Sequence, residues 1–298
     1  MASAHEWSAM RWAIAISAQG LGSTSPNPPV GCVVLDSRGR AVGEGHHVRK
    51  GEPHAEANAL AAAGGRAEGG TAVVTLEPCN HAGRTPPCRE ALIRARVARV
   101  VIAVMDPTSR GEGGAALLRQ AGIDVEVGVL QEEALVVLGP WLTSLRAGRP
   151  FVTWVYEAGP DGAPIGRGAC RALRGEVAAV RAAHDLVVTW DGRLEEGRPG
   201  SHGRDVFAVP DSGIFREPPG VARSLLAAGA RSVLVEGHAG EAASLLGVCP
   251  ADRVIVYVPG TPESWAPAAG RGAALPDGYR LTGARREGEF VRLAGRRV

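Results

Sequence analysis

The sequence predicts an α/β protein of two layered domains. Three observations carry that reading. Strand-like and helix-like segments alternate along the chain. Its 298 residues suit two domains of about 150 residues each. The first alternating series is complete near residue 145, and a second begins after Gly148-Arg149-Pro150. The expected domains are therefore residues 1–146 and 147–298.

In the first series, residues 4–20 read as a helix. The runs VGCVVL (30–35) and RAVGEG (40–45) read as a hairpin turning at Ser37-Arg38-Gly39. A helix starts near His54, runs through an Ala-rich stretch and is stopped by Gly64-Gly65. A strand at 71–75, a loop and a helix from about Pro87 follow. RVVIAV (99–104) is a buried strand, 113–122 a helix, and IDVEVGV a closing strand. In the second series FVTWVY (151–156) is a strand, 170–183 a helix and DLVVTW (185–190) a strand. The polar, Gly-rich segment 191–204 reads as a loop. DVFAVP, RSVLVEG, DRVIVYVP and the C-terminal FVRLAGRRV supply further strands. No internal repeat is visible.

Composition narrows the function classes. Hydrophobic residues make up 45% and charged residues 21%, with 41 Gly and 21 Pro, the balance of an ordinary globular chain. A net charge of +2 and 4% aromatics give neither the basic stripe nor the stacking surface of a nucleic-acid protein. No apolar run reaches the roughly 18 residues of a membrane span. The N-terminus lacks the basic-then-apolar order of a secretory leader. Five cysteines, an odd and sparse number, point to a reducing cytoplasm rather than a disulfide framework.

The chemistry lies in one stretch. His54-Ala55-Glu56 opens a helix, Pro78-Cys79 follows a strand, and Cys88 opens the next helix. Any two of these cysteines alone would read as core thiols. The coincidence of all four features points instead to a zinc site. One imidazole and two thiolates leave a fourth position for water, the catalytic pattern. Bound zinc lowers the pKa of that water. Glu56, two residues from a ligand, can carry its proton to a ring nitrogen and then to a leaving amine. Zinc nucleobase deaminases use this arrangement. Cys32, Cys170 and Cys249 have no ligand partners nearby in sequence and read as core or incidental.

The runs TLEPCNHAGRTPPC (75–88), SPNPPVGCVV (25–34), GEGHHVRKGEPHAE (43–56) and VIAVMDP (101–107) resemble the deaminase half of the bifunctional riboflavin-biosynthesis deaminase/reductase family. The likeness covers about residues 8–145. It implies an N-terminal cytidine-deaminase-like three-layer domain and a C-terminal dihydrofolate-reductase-like α/β domain. It also implies hydrolytic removal of the 2-amino group of 2,5-diamino-6-ribosylamino-4(3H)-pyrimidinone 5′-phosphate. Carried over by motif, His54, Cys79 and Cys88 hold Zn²⁺, Glu56 shuttles protons and Asn27 bonds the pyrimidine edge. His47, His81, Arg84 and Thr85 either line the pocket or order its loops. One departure stands out: the family has Asp-Pro-Asn-Pro where this chain has Asp106-Pro107-Thr108-Ser109, in a shorter loop.

The second half resembles the reductase with its cofactor loops altered. AGRPFVTW (147–154) matches the domain entry, but the family's Lys is Val155 here and its turn is Gly159-Pro160-Asp161-Gly162. The family's Gly-x-Gly-Thr loop has become Thr189-Trp190-Asp191-Gly192, and its Glu-Gly-Gly is Glu236-Gly237-His238. Only glycine lets backbone amides approach a phosphate closely. The expectation is thus a domain without NADPH, kept for packing or for a homodimer. The chain would serve riboflavin synthesis or a specialised-metabolite branch from it. Other readings are a deaminase of another amino-heterocycle, a still bifunctional enzyme, and a scaffold that has lost both activities; the intact Glu56 speaks against the last.

Overall fold

A computed structural model of the chain describes residues 1–80, 86–158, 174–202, 210, 218–237, 241–259 and 275–298. It divides into two compact units, Met1–Gly139 and Pro140–Val298.

In the first unit α1 (Ala4–Ser17) is followed by β1 (Gly31–Leu35), β2 (Ala41–His46), α2 (Ala55–Ala63), β3 (Thr71–Leu76), α3 (Cys88–Arg94), β4 (Arg99–Val104), α4 (Gly113–Gln120) and β5 (Asp124–Val127). A further helix, α5 (Gln131–Ala147), which the sequence reading did not anticipate, runs across the boundary between the units. The sheet order is β2-β1-β3-β4-β5. β1 is antiparallel to both neighbours, while β3, β4 and β5 are parallel. The α1 N-terminus carries a reciprocal capping box between Ser3 and Glu6, which satisfies two amides that a helix start leaves unpaired.

β1 is buried throughout, and β3 and β4 are buried beyond their first residues. Strands of this kind need cover on both faces, and the glycines show how it is achieved. A Cβ on Gly31 would lie 2.1 Å from the Ala13 carbonyl of α1. On β2, a Cβ on Gly43 would lie 2.2 Å from the Ala59 carbonyl, and one on Gly45 2.5 Å from the Asn58 Cβ, both on α2. Gly31 pairs with His46, whereas Gly45 pairs with Cys32. Side chains alternate in facing along a strand, so α1 and α2 cover opposite faces. The result is three layers, with α2 seated as close to β2 as two backbones permit. Gly64 ends α2 at φ +57°, in the left-handed region that favours glycine.

The second unit holds β6 (Phe151–Glu157), α6 (Arg174–Ala182), β7 (Leu186–Val188), β8 (Leu194–Glu196), α7 (Pro218–Ala227), β9 (Ser232–Glu236), α8 (Glu241–Val248), β10 (Arg253–Pro259), β11 (Tyr279–Glu287) and β12 (Phe290–Arg297). Its sheet order is β11-β12-β10-β6-β9-β7-β8. The four strands β10, β6, β9 and β7 run parallel, with antiparallel strands at both edges. Along β9, Val233 and Val235 join one buried cluster and Leu234 another, so this sheet too has core on both faces. A buried Asp185 accepts from the amides of Arg231 and Ser232, each at 2.8 Å, fastening the start of β7 to β9.

The segment 191–204, read as loop, contains the short strand β8. Its residues Leu194-Glu195-Glu196 are two-thirds acidic, and backbone pairing to β7 rather than burial makes them a strand. All but residue 210 of the strand expected over 205–210, and the first part of the helix expected over 170–183, lie outside the described residues, as does Cys170. Cys32 and Cys249 are buried in the core.

Gly45→Ala is expected to cost the first unit about 1–3 kcal/mol, the range for forcing extra volume into a packed interface. Gly65→Ala, where nothing lies within 4 Å, is expected to be neutral. Denaturant titration of both variants checks the contrast.

Candidate metal centre

Two helix starts and one strand end deliver the donor atoms. His54 is the N-cap of α2, with extended backbone at φ −71° and ψ 164° and no capping bond from its side chain. Cys79 lies just past the end of β3, after Glu77 and Pro78. Cys88 is the first residue of α3, with Pro87 as its N-cap. The His54 Nδ1 lies 3.7 Å from the Cys79 Sγ and 3.3 Å from the Cys88 Sγ. One donor atom from each of the three residues lies within 4.8 Å of the other two, the one such group of three among the described residues.

The set fits zinc. With Zn–S of about 2.3 Å and Zn–N of about 2.0–2.1 Å, a tetrahedral ion separates its N and S ligands by about 3.6 Å, and the two observed spacings bracket that value. The electrostatics favour the ligating form at Cys79. The Cys88 thiol and the Cys88 amide, the latter at 3.3 Å, both donate to the Cys79 sulfur. They hold the Cys79 thiol well below its ordinary range, which favours the ligating thiolate. The Cys79 sulfur in turn pushes the Cys88 thiol up. Contact with Cys79 also raises His54.

Glu56 sits in the first turn of α2 and is only 3% exposed. Burial raises its carboxyl, and the Cys88 thiol is a hydrogen-bond neighbour. Cys32 lies on the sheet face that α2 covers. Burial, reinforced by the Glu56 charge, keeps its thiol protonated.

Two of the expected substrate-binding residues come together beside the donors. The Asn27 Nδ2 lies 3.2 Å from the His47 Nε2, and the His47 Nδ1 lies 3.2 Å from the Pro53 carbonyl. The consistent assignment is a neutral His47 that donates from Nδ1 to Pro53 and accepts from Asn27 at Nε2, leaving the Asn27 Oδ1 as an acceptor. Burial depresses the His47 pKa, in keeping with a neutral ring. That ring packs edge-on against His54 with centroids 5.2 Å apart. His81, Arg84 and Thr85, the other three expectations, lie outside the described residues.

Three polar residues at the site escaped the sequence reading. Asn58 donates from Nδ2 to the His46 carbonyl at 2.9 Å, tying α2 to the end of β2. Glu77 and Asn80 flank the Pro78-Cys79 pair and reach the loop after β4. A lone Asn in an Ala-rich helix was the only signal for the first. A Glu directly before Pro-Cys, paired with Gly113-Gly114 downstream, was the signal for the second.

Comparison with known proteins agrees with this geometry. Residues 4–104 match the cytidine and deoxycytidylate deaminase zinc-binding region. The chain is 52% identical over 157 residues to the riboflavin biosynthesis protein RibD of Mycobacterium tuberculosis H37Rv, a match covering 52% of this chain and 46% of that protein. It is 44% identical over 142 residues to the diaminohydroxyphosphoribosylamino-pyrimidine deaminase of Buchnera aphidicola, covering 47% of this chain and 96% of that protein. The chain thus spans about half the length of the first relative and nearly all of the second. The solved diaminohydroxyphosphoribosylaminopyrimidine deaminase/5-amino-6-(5-phosphoribosylamino)uracil reductase of Thermotoga maritima superposes with a TM-score of 0.77 at 25% identity, covering 99% of each chain. Among the described residues no helix is long and apolar enough to cross a membrane.

Cys88→Ser is expected to lose most of its zinc while His47→Gln keeps it, as read by metal analysis of the purified proteins. Full retention in Cys88→Ser would remove Cys88 from the ligand set.

Proposed function

This chain belongs to the family of diaminohydroxyphosphoribosylaminopyrimidine deaminases, and from that premise we propose that its first unit hydrolyses the 2-amino group of 2,5-diamino-6-ribosylamino-4(3H)-pyrimidinone 5′-phosphate. The convergence of His54, Cys79 and Cys88 beside a buried Glu56 carries the reading. Zinc held by these three donors supplies a Lewis acid that lowers the pKa of a water. The remaining work falls to the chain. Glu56 carries both protons of the attacking water in turn, the first to the ring nitrogen and the second, from the added hydroxyl, to the departing amine. The C–O bond forms as the ring nitrogen is protonated, and the C–N bond then breaks, giving the oxo-pyrimidine and ammonia. Asn27, oriented by His47, presents its carbonyl oxygen to an N–H on the pyrimidine edge. The buried surroundings of Glu56 keep bulk water from competing for its proton. The pathway is riboflavin synthesis or a specialised branch from its intermediate, and the cytoplasm is the expected compartment. The four described cysteines are all unpaired, in keeping with a reducing environment.

The second unit is read as a reductase fold that does not use NADPH. A phosphate-binding turn needs amides that are free to donate. In the turn that replaces the family's Gly-x-Gly-Thr loop, the amides at its two ends and that of the following Arg193 are spent internally. Gly192 N donates to the Thr189 carbonyl at 2.9 Å, Arg193 N to the Thr189 hydroxyl at 3.0 Å, and Thr189 N to the Arg193 carbonyl at 2.9 Å. Trp190, half exposed, stands against Gly237, where an added Cβ would come within 3.2 Å of the indole-bearing Cβ. Asp191 and Glu195 are paired with Arg193, so the nearest cation is already neutralised. The unit is read as serving packing or homodimer formation. Among the described strands β11 pairs only with β12, and an open edge of that kind is a template for pairing.

Glu56→Gln is expected to keep zinc and fold but to lose about 10²–10⁴-fold in turnover of the pyrimidine phosphate. A rate above about a tenth of wild type would remove Glu56 from the shuttle role. Loss of turnover on removing the 5′-phosphate separates this substrate from a free base or nucleoside. In a calorimetric titration NADPH is expected to give no saturable signal; micromolar binding would make the second unit a working reductase.

A further inference from the structure

We propose that Glu77 is a positioning residue of the deaminase, clamping the loop after β4 against the segment that bears Cys79 so that the loop forms a fixed wall of the substrate pocket. This rests on the functional reading above. Glu77 is 4% exposed and stands two residues before Cys79. Its backbone amide donates to the Val104 carbonyl at 2.9 Å, continuing the β3–β4 pairing one step past the strand ends. Its carboxylate accepts from two groups of the loop after β4 and one of the first turn of α4. Ser109 Oγ donates at 2.8 Å and the Asp106 amide at 3.3 Å to Oε2, and the Ala115 amide donates at 2.9 Å to Oε1.

The last bond also explains the start of α4. Its N-cap, Glu112, makes no side-chain capping bond, so an orphan amide of the first turn has to find a partner elsewhere. Glu77 provides it from another strand, with a negative charge at the favourable end of the helix. The backbones are shaped for this contact. A Cβ on Gly113 would lie 2.7 Å from the Glu77 Oε1, and one on Gly114 would lie 1.9 Å from the Pro78 carbonyl. Asn80, on the other side of Cys79, makes a reciprocal pair with the backbone of Arg110. The metal-bearing segment is therefore held to the loop from both sides.

β3 and β4 are parallel neighbours, and ligands of such sheets bind outside the carboxyl ends of the strands. The loop 106–112 leaves β4 at that edge, next to Cys79. It is also where this chain departs from the family's Asp-Pro-Asn-Pro. A wall that touches substrate equally in the ground and transition states changes KM and leaves kcat alone. In Glu77→Gln the amide nitrogen cannot accept, so either Oε2 loses its two donors or Oε1 loses Ala115. The donor metal ligands are untouched.

The test compares wild type, Glu77→Gln and the milder Ser109→Ala, all zinc-loaded. The expected result is full zinc content in all three. KM for the pyrimidine phosphate should rise about tenfold in Glu77→Gln and a few-fold in Ser109→Ala, with kcat within about threefold of wild type. Hydrogen exchange should quicken in peptides covering 106–115 of Glu77→Gln and stay unchanged over 54–60. Unchanged KM in both variants, or a fall in kcat at constant KM, would overturn the clamp. A wild type that leaves the pyrimidine phosphate unchanged would instead fail the functional reading. The exchange result then decides the clamp alone: faster exchange over 106–115 upholds it and unchanged exchange overturns it.

Discussion

Everything proposed for the first unit depends on how closely α2 lies on β2. Three donor atoms from three different elements have to meet within a few ångströms, and two of them start helices that cover the sheet. A helix on a sheet of ordinary side chains stands about 10 Å off. Here Gly43 and Gly45 remove the side chains beneath Ala55, Asn58, Ala59 and Ala63. Backbone meets backbone, and the helix start carrying His54 and Glu56 comes down to the level of Cys79. The Asn58 bond to the His46 carbonyl fixes the helix along its axis. The metal centre is therefore a consequence of interlayer spacing as much as of ligand identity.

Two buried carboxylates sit close to that centre in different surroundings. Glu56 faces a thiol and a histidine, with burial favouring its protonated form, which suits a group that takes and returns protons. Glu77 is surrounded by donors, two amides and a hydroxyl, which suits a group that holds position. The second unit offers the opposite lesson about amides. In its β7–β8 turn the amides of Thr189, Gly192 and Arg193 close on the turn itself.

What was legible in the sequence follows from how local each signal is. Strands with runs of buried aliphatics, such as Arg99–Val104 and Arg253–Pro259, announce themselves because both faces need apolar cover. The start of α2 at His54 and its stop at Gly64 are likewise local. β8 was missed because three residues, two of them glutamates, become a strand only through pairing with β7. β11 was missed because its residues are mostly exposed, so no alternation marks it. The convergence of His54, Cys79 and Cys88 could be anticipated since each donor sits at an element boundary that the sequence marks. Glu77 was not, because its partners lie about thirty residues downstream and only the folded chain joins them.

The most direct measurement is the source of the oxygen in the product. Zinc-loaded protein is incubated with the diaminopyrimidine ribosyl phosphate in ¹⁸O-enriched water, and the pyrimidine product is weighed. Hydrolytic exchange of amine for water oxygen predicts a gain of about three mass units, against about one in ordinary water, with one ammonia released per product. A product without the heavy oxygen, or a substrate left unchanged by fully zinc-loaded protein, would contradict the account.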